Sequence, residues 1–481
     1  MNRRHFIRSG ATAIAAVAAG VPVKINAAPK MSDLSIIRDA LKLHPGLYRY
    51  QSPATFEKRF ADFSESWSQS SELTHRFLAL SRFTAQIRCG HSHCNPYNQS
   101  NKVVAALFDR KTRVPFSFRW LDRKMVVIGD AGAAAGIARG SVIERLNGKK
   151  PSEMLTSLMA YARADGSNDA KRIAQMDMRC TDELETFDIF QGLLFPPGPN
   201  GHQVTWCDPA GKRHSVILPT IDLATRKEQT PSRKDDGPIW DWQVRPDGVA
   251  VLTMPTWVTY RGNWDWKAWL AERFASLSST KGMIIDLRDN EGGTDCGTYL
   301  LQRLIDKPFK PVRYLNRVAF REVPTELIPY LTTWDKSFRT LGKDAVVGAD
   351  GYMTIPGDED EIEITPIAPR ITVPVMVLVG PVNSSATFSF ARRVREAHAA
   401  TLVGETTGGN LRGINGGAYF FVRLPESDLE FDLPLKGYFP EGPIPADAGV
   451  VPDIRVTFNA TDIAHGIDRQ METAIRKILG G

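Results

Sequence analysis

The residues best placed to do chemistry lie between Pro374 and Gly409. Val375 to Val379 is an unbroken apolar run that predicts a buried strand, and Gly380 to Ser385 predicts a turn. Ala386, Phe390, Val394 and Ala397 mark one face of a helix that begins at once, and a further strand is expected from Thr401 to Glu405. A serine at such a turn is exposed at the carboxyl edge of a sheet, and the free N–H groups of the helix's first turn can stabilise an oxyanion. Ser385 is therefore a candidate nucleophile for acyl transfer, although serine is also a preferred helix cap with no chemical role. A second stretch, Asp286-Leu287-Arg288-Asp289-Asn290-Glu291-Gly292-Gly293, ends in paired glycines. Glycine lets backbone N–H groups approach a substrate oxygen closely, as a second oxyanion donor must. A third, Cys89-Gly90-His91-Ser92-His93-Cys94, offers thiols and imidazoles: a short disulfide between Cys89 and Cys94, a metal site, or a freely placed histidine. No matching Cys/His pair stands elsewhere, so no metal and no other cofactor is expected.

The elements around these residues read as follows. Ser52-Pro53 is a helix cap and first-turn signal, after which Phe56, Phe60, Phe63 and Trp67 fall on one face. Leu73, Phe77, Leu80 and Ile87 form a second stripe that leads directly into Cys89-Gly90-His91, so His91 sits just beyond a helix end. From about Val103 to Leu223 the chain alternates in short runs such as Met125 to Ile128 and Gln203 to Trp206, which predict strands. Within it, Gly140 to Lys149 is a strand ended by an Asn-Gly turn and followed by a helix from Pro151. This resembles the signature of a PDZ domain, and it equally fits an ordinary hairpin; a PDZ-like module would bind an extended chain end as an added strand. Thr225 to Pro238 is polar and proline-punctuated and predicts a surface linker. Beyond it, Gly248 to Leu252 and Met283 to Leu287 are apolar on both faces, with Trp266, Leu270, Phe274 and Leu277 striping a helix between them, which predicts an α/β domain.

Four motifs in order resemble the tail-specific (C-terminal-processing) serine protease family, in its tricorn-like and interphotoreceptor-retinoid-binding-protein-like branch. They are Asp286 to Gly293, Asn383-Ser384-Ser385-Ala386, Gly404 to Gly409 and Gly449 to Asp453. His44 to Tyr48 and Cys89-Gly90-His91 also look like the helical cap of that branch. The resemblance implies a Clp/crotonase-like βαβ core with an N-terminal helical cap and a PDZ-like module. Its boundaries are a cap over residues 29–100, a PDZ-like domain over 101–230 and a catalytic domain over 231–481. It also implies a peptide or unstructured protein as substrate. The family's Ser-Lys dyad is absent, because Asn410 stands where the lysine would be. The tricorn-like arrangement then implies Ser385 as nucleophile and His91 as base, with His93 as understudy. Asp447 is the implied orienting acid, with Glu405 in reserve. Ala386 N–H and a backbone N–H of Gly292 or Gly293 would form the oxyanion hole. Phe388 departs from the family, many members of which carry a glutamate there.

At the scale of the chain, 481 residues predict two or three domains. Arg3-Arg4, Phe6 and the small-residue apolar run from Ala11 to Val23, followed by Ala27-Ala28, predict a twin-arginine signal peptide over residues 1–28 and a periplasmic or secreted product. That run is too short to span a bilayer, and no later membrane signal appears. Four of the six excess positive charges, Arg3, Arg4, Arg8 and Lys24, belong to the signal, and no basic block with interleaved aromatics follows, which argues against a nucleic-acid partner. Cys180, Cys207 and Cys296 read as buried small hydrophobes. The expected activity is an exported serine-type peptidase cleaving peptides or protein C-terminal segments through a Ser-His acyl-enzyme. A binding protein without turnover and an ester hydrolase on the same scaffold are the competing classes.

Overall fold

Local punctuation sets the first helices. The Ser52 hydroxyl accepts from Thr55 N–H and Pro53 takes the first position, so the helix Pro53–Ser68 starts there. Its Phe56, Phe60, Phe63 and Trp67 are all buried, and Phe63 stacks on Phe83 of the helix Leu73–Ala85 with ring centroids 4.4 Å apart. The computed structural model describes residues 31–130, 136–231, 237–348, 351–359 and 363–481; the predicted signal segment lies outside them. Among the described residues no helix is long and apolar enough to cross a membrane.

An antiparallel sheet follows, in the order β1 (Phe116–Leu121), β2 (Lys124–Asp130), β3 (Val142–Leu146), β4 (His202–Cys207) and β5 (Arg213–Leu218). The predicted Asn-Gly turn is present: Asn147 and Gly148 hold φ +52° and +76°, and Leu146 and Lys149 exchange both backbone hydrogen bonds. The helix Pro151–Met159 comes next. The predicted surface linker, Thr225 to Pro238, differs from expectation over its first residues, 225–229. A helix, Leu223–Gln229, buries Arg226 completely, with Nε donating to Asp188 Oδ2 at 2.9 Å and Nη2 to Val114 O at 2.7 Å. A guanidinium can leave water when carboxylate and carbonyl oxygens take its donors, and the sequence does not show those partners.

Two six-stranded sheets complete the fold. One runs β10 (Leu331–Thr332), β15 (Asn415–Arg423), β16 (Glu430–Pro440), β9 (Tyr314–Val318), β12 (Met353–Glu359), β11 (Val346–Val347). Its Phe420, Val422, Phe431 and Leu433 join the N-terminal helices and the five-stranded sheet in one continuous core. The other runs β17 (Ile454–Arg455), β14 (Thr401–Gly404), β13 (Val375–Val379), β8 (Gly282–Asp286), β7 (Val249–Thr253), β6 (Asp241–Val244), all parallel except the edge strand β6. Strands apolar on both faces require cover on both. Helices Trp266–Ala275, Gly297–Leu304 and Ser385–Glu396 cover one face, and Arg469–Ile478 covers the other. The chain is thus a mixed α/β fold, and Ser385 lies just beyond the carboxyl end of a central parallel strand.

Candidate active site

Ser385 has φ +52°, a left-handed conformation that a side chain adopts only when its surroundings impose it. Those surroundings are identifiable. Asn383 is buried and ties the serine turn to the glycine loop: its Oδ1 accepts from Gly380 N–H at 2.7 Å, and its Nδ2 donates to Leu287 O at 2.5 Å and Asn290 O at 2.9 Å. Asn290, also buried, shapes the loop from the other side, accepting from Gly292 N–H and the Thr387 hydroxyl, both at 2.9 Å. Gly292 has φ +116°, and a Cβ there would stand 2.9 Å from Ser385 Cβ and 3.2 Å from Ala386 N. The loop therefore lies against the serine as closely as a chain without a side chain can. Since the Gly292 N–H is taken by Asn290, the Gly293 N–H is the donor left over; among the described residues neither it nor Ala386 N–H has a hydrogen-bond partner. The Ser385 hydroxyl is unpartnered in the same sense. Phe388, the departure from the family pattern, is buried against Gly409, where a Cβ would come 2.3 Å from its ring.

His91 follows the turn after the helix Leu73–Ala85, as expected, and its ring lies 6.2 Å from that of Tyr419. Its Nδ1 is buried without a partner among the described residues, and no hydrogen bond joins it to Ser385. Burial, with Arg163 and Lys171 facing it, lowers its pKa to about 3 against the partial opposition of Glu291, so the ring is neutral at ordinary pH. His93 is pushed well down in the same way. Arg163, Lys171 and Glu291 are charged groups acting on His91 that sequence reasoning did not single out. Lys171 Nζ, almost wholly buried, donates to Glu291 Oε1 at 2.7 Å, Val382 O at 2.8 Å and Ser384 Oγ at 3.4 Å. Arg163 reaches the same Glu291 oxygen at 3.1 Å and donates to Gly90 O at 2.5 Å. Glu291 keeps 46% of its side chain exposed, and these two cations hold its carboxyl well below the usual carboxylate range despite the desolvation of its cation-facing side. Arg163 and His93 also line a small cavity with Phe77, Tyr161 and Phe190.

Neither expected acid meets His91. Asp447 Oδ1 accepts from Ser167 N–H at 2.9 Å and from Asn410 Nδ2 at 2.7 Å, so Asn410 fills the vacated lysine position by fixing this loop. Burial raises the Asp447 carboxyl, and these hydrogen bonds outweigh it and leave the pKa below the ordinary value. Glu405 faces Arg119, Asp177 and Arg455 instead, its pKa raised by burial. Glu291 is the carboxylate whose charge acts on His91. Its signal was present, inside the glycine motif; Arg163 and Lys171 had none. Cys89 and Cys94 are both free thiols and buried, and Cys89 Sγ accepts from Asn415 Nδ2 at 3.2 Å. Among the described residues no group of three or more His, Cys, Asp or Glu side chains is arranged to hold a metal ion. Cys296 is buried as expected, whereas Cys180 and Cys207 are only half-buried.

A strained serine at a helix start, a glycine loop against it and a parallel sheet beneath are the parts of a serine hydrolase. The family model Peptidase family S41 matches residues 248–456, which span β7 to β17 and both halves of this turn, so the chain carries a domain of the tail-specific protease family and is a serine-type peptidase. In structure it is similar to mature CPAF complexed with lactacystin, at 16% identity over 93% of this chain and 98% of that chain with a TM-score of 0.60. Mature CPAF alone gives 16% identity over 93% and 95% with a TM-score of 0.57. At that identity the likeness is one of fold. No curated protein matches the chain in sequence.

Proposed function

We propose that this chain is an exported serine peptidase that cleaves peptides or protein C-terminal segments through an acyl-enzyme on Ser385, with His91 as general base. One observation carries the reading: Ser385 is held at φ +52° against Gly292 with its hydroxyl and the neighbouring Ala386 N–H unpartnered among the described residues. In the proposed reaction neutral His91 takes the Ser385 proton as the oxygen attacks the substrate carbonyl. Ala386 and Gly293 N–H groups receive the oxyanion, and His91 returns the proton to the leaving amine. Water then hydrolyses the ester by the same route in reverse. Glu291 is the carboxylate that offsets charge on the imidazolium in this reading, ahead of Asp447 and Glu405, which are engaged elsewhere. The five-stranded segment, with its Asn147-Gly148 hairpin, is read as the PDZ-like module that would bring a chain end to the site, and the N-terminal helices as the cap. Export rests on Arg3-Arg4 and the apolar run that follows.

A fluorophosphonate probe tests this directly. Wild-type protein should be labelled, and Ser385→Ala and His91→Ala proteins should not. An unlabelled wild type would move the reading to a binding protein on the same scaffold, and turnover of esters but not peptides by a labelled enzyme would move it to an esterase.

A further inference from the structure

The cations around Glu291 have a layout that ordinary surface pairing does not explain. Both meet one oxygen, Glu291 Oε1, and each continues to a different part of the site. Arg163 goes on to Gly90 O, in the loop that carries His91. Lys171 goes on to Val382 O and Ser384 Oγ, in the turn that carries Ser385. Lys171 is itself fixed along its length. Asn168 caps its helix, Asp169–Ala174, by accepting from Lys171 N–H, and donates through Nδ2 to Thr407 O at 2.8 Å and Gly409 O at 2.9 Å. The intervening Gly408 leaves room for the side chain, since a Cβ there would come 2.8 Å from Lys171 Cδ. An ammonium has three donors and no acceptor, and three acceptors meet this one: Glu291 Oε1, Val382 O and, at 3.4 Å, Ser384 Oγ.

We propose that Arg163, Glu291 and Lys171 form a positioning clamp that holds the His91 loop and the Ser385 turn in register, with Glu291 Oε1 as the shared tether. The inference rests on the catalytic reading above, adds Arg163 and Lys171 to it and gives Glu291 a second part, and none of the three touches the reacting atoms. Two of them come from the segment between the N-terminal helices and the parallel sheet, so that segment completes the site rather than merely flanking it.

The charged groups facing His91 are Arg163, Lys171 and Glu291, with neutral His93 and the Tyr419 ring beside it. This gives a test whose sign a merely structural role would not reproduce. The full-length protein is labelled with fluorophosphonate across a pH series as wild type, Lys171→Met, Lys171→Arg and Glu291→Gln, with folding checked by circular dichroism. Lys171→Met and Glu291→Gln should each lower the labelling rate at least tenfold. Loss of the cation should move the acid limb of the rate upward in pH, and loss of the carboxylate should move it downward. Lys171→Arg should keep the limb in place while losing rate. If Lys171→Met does not fold, Glu291→Gln and Lys171→Arg still decide the matter. Folded variants with rates within twofold of wild type, or with limbs that move together, overturn the clamp alone. A wild type that is not labelled overturns the catalytic reading and the clamp with it.

Discussion

Replacing Gly292 by alanine tests the closeness on which the oxyanion hole depends. The new methyl would lie 2.9 Å from Ser385 Cβ and 2.9 Å from Ser384 O. The serine turn and the loop must therefore separate by about 0.5 Å, the difference between that 2.9 Å and the roughly 3.4 Å of ordinary contact. Neither neighbour is a flexible side-chain end that could swing away. The φ of +116° adds strain of about 1–3 kcal/mol, because side-chain-bearing residues do not settle there. Misplacing reacting groups by about 1 Å costs on the order of 10²-fold, and loss of one oxyanion donor costs about 10²–10³-fold. The expected result is a roughly 10²-fold slower fluorophosphonate labelling of Ser385. Gly148→Ala separates strain from steric contact: its φ is +76° but nothing lies within 4 Å of the new methyl. That variant should lose about 1 kcal/mol in urea unfolding and label at the wild-type rate. If Gly292→Ala labels within twofold of wild type, the loop does not abut the nucleophile and the oxyanion assignment falls.

Further outcomes follow from the same coordinates. With His91 neutral down to about pH 3, labelling should not fall between pH 7 and pH 5; a midpoint near 6.5 would refute the burial of that ring. His44 is buried with its pKa near 3, its Nδ1 accepting from Gly46 N–H and its Nε2 paired with Ser92 Oγ. The unfolded chain takes up this proton first as pH falls, so the stability it confers is complete above about 6.5 and lost towards 3, by about 2 kcal/mol at pH 5. In urea titrations at pH 7 and 5, His44→Gln should shrink the wild-type difference by that amount, and an unchanged difference would dismiss the argument. Asn383→Asp turns an oxygen towards Leu287 O and Asn290 O; unfolding should show a loss of about 2–4 kcal/mol, and labelling should be abolished, whereas full labelling would mean the turn is held by other bonds. Arg226→Met leaves Asp188 with Arg113 alone in a dry interior, and a loss of about 3 kcal/mol in urea is expected; a loss under 1 kcal/mol would show that water enters.

Much of this protein was legible in the order of its residues. Ser52-Pro53 set a helix start, Asn147-Gly148 set a hairpin, and Val375 to Val379 followed by Ser385 set a strand, turn and helix, because each of these depends on neighbours within a few residues. The glycine pair was legible for the same reason, since only glycine accepts the φ values that loop requires. Which of the two glycines keeps a free N–H was not, because Asn290 decides it from within the folded loop.

Tertiary structure alone decided the electrostatics of the site. Lys171 and Arg163 sit in a segment whose local pattern speaks only of short helices and strands, yet both converge on Glu291. Asp447 read as an acid by its place late in the chain, and the fold gives it to Ser167 and Asn410 instead. Arg226 looked solvated because a charge in a polar stretch ordinarily is, and a carboxylate distant in sequence made its burial possible. Periodicity and turn chemistry are short-ranged and therefore written in adjacent residues. Charge pairing and burial depend on which distant segments meet, and that was settled only when the chain folded.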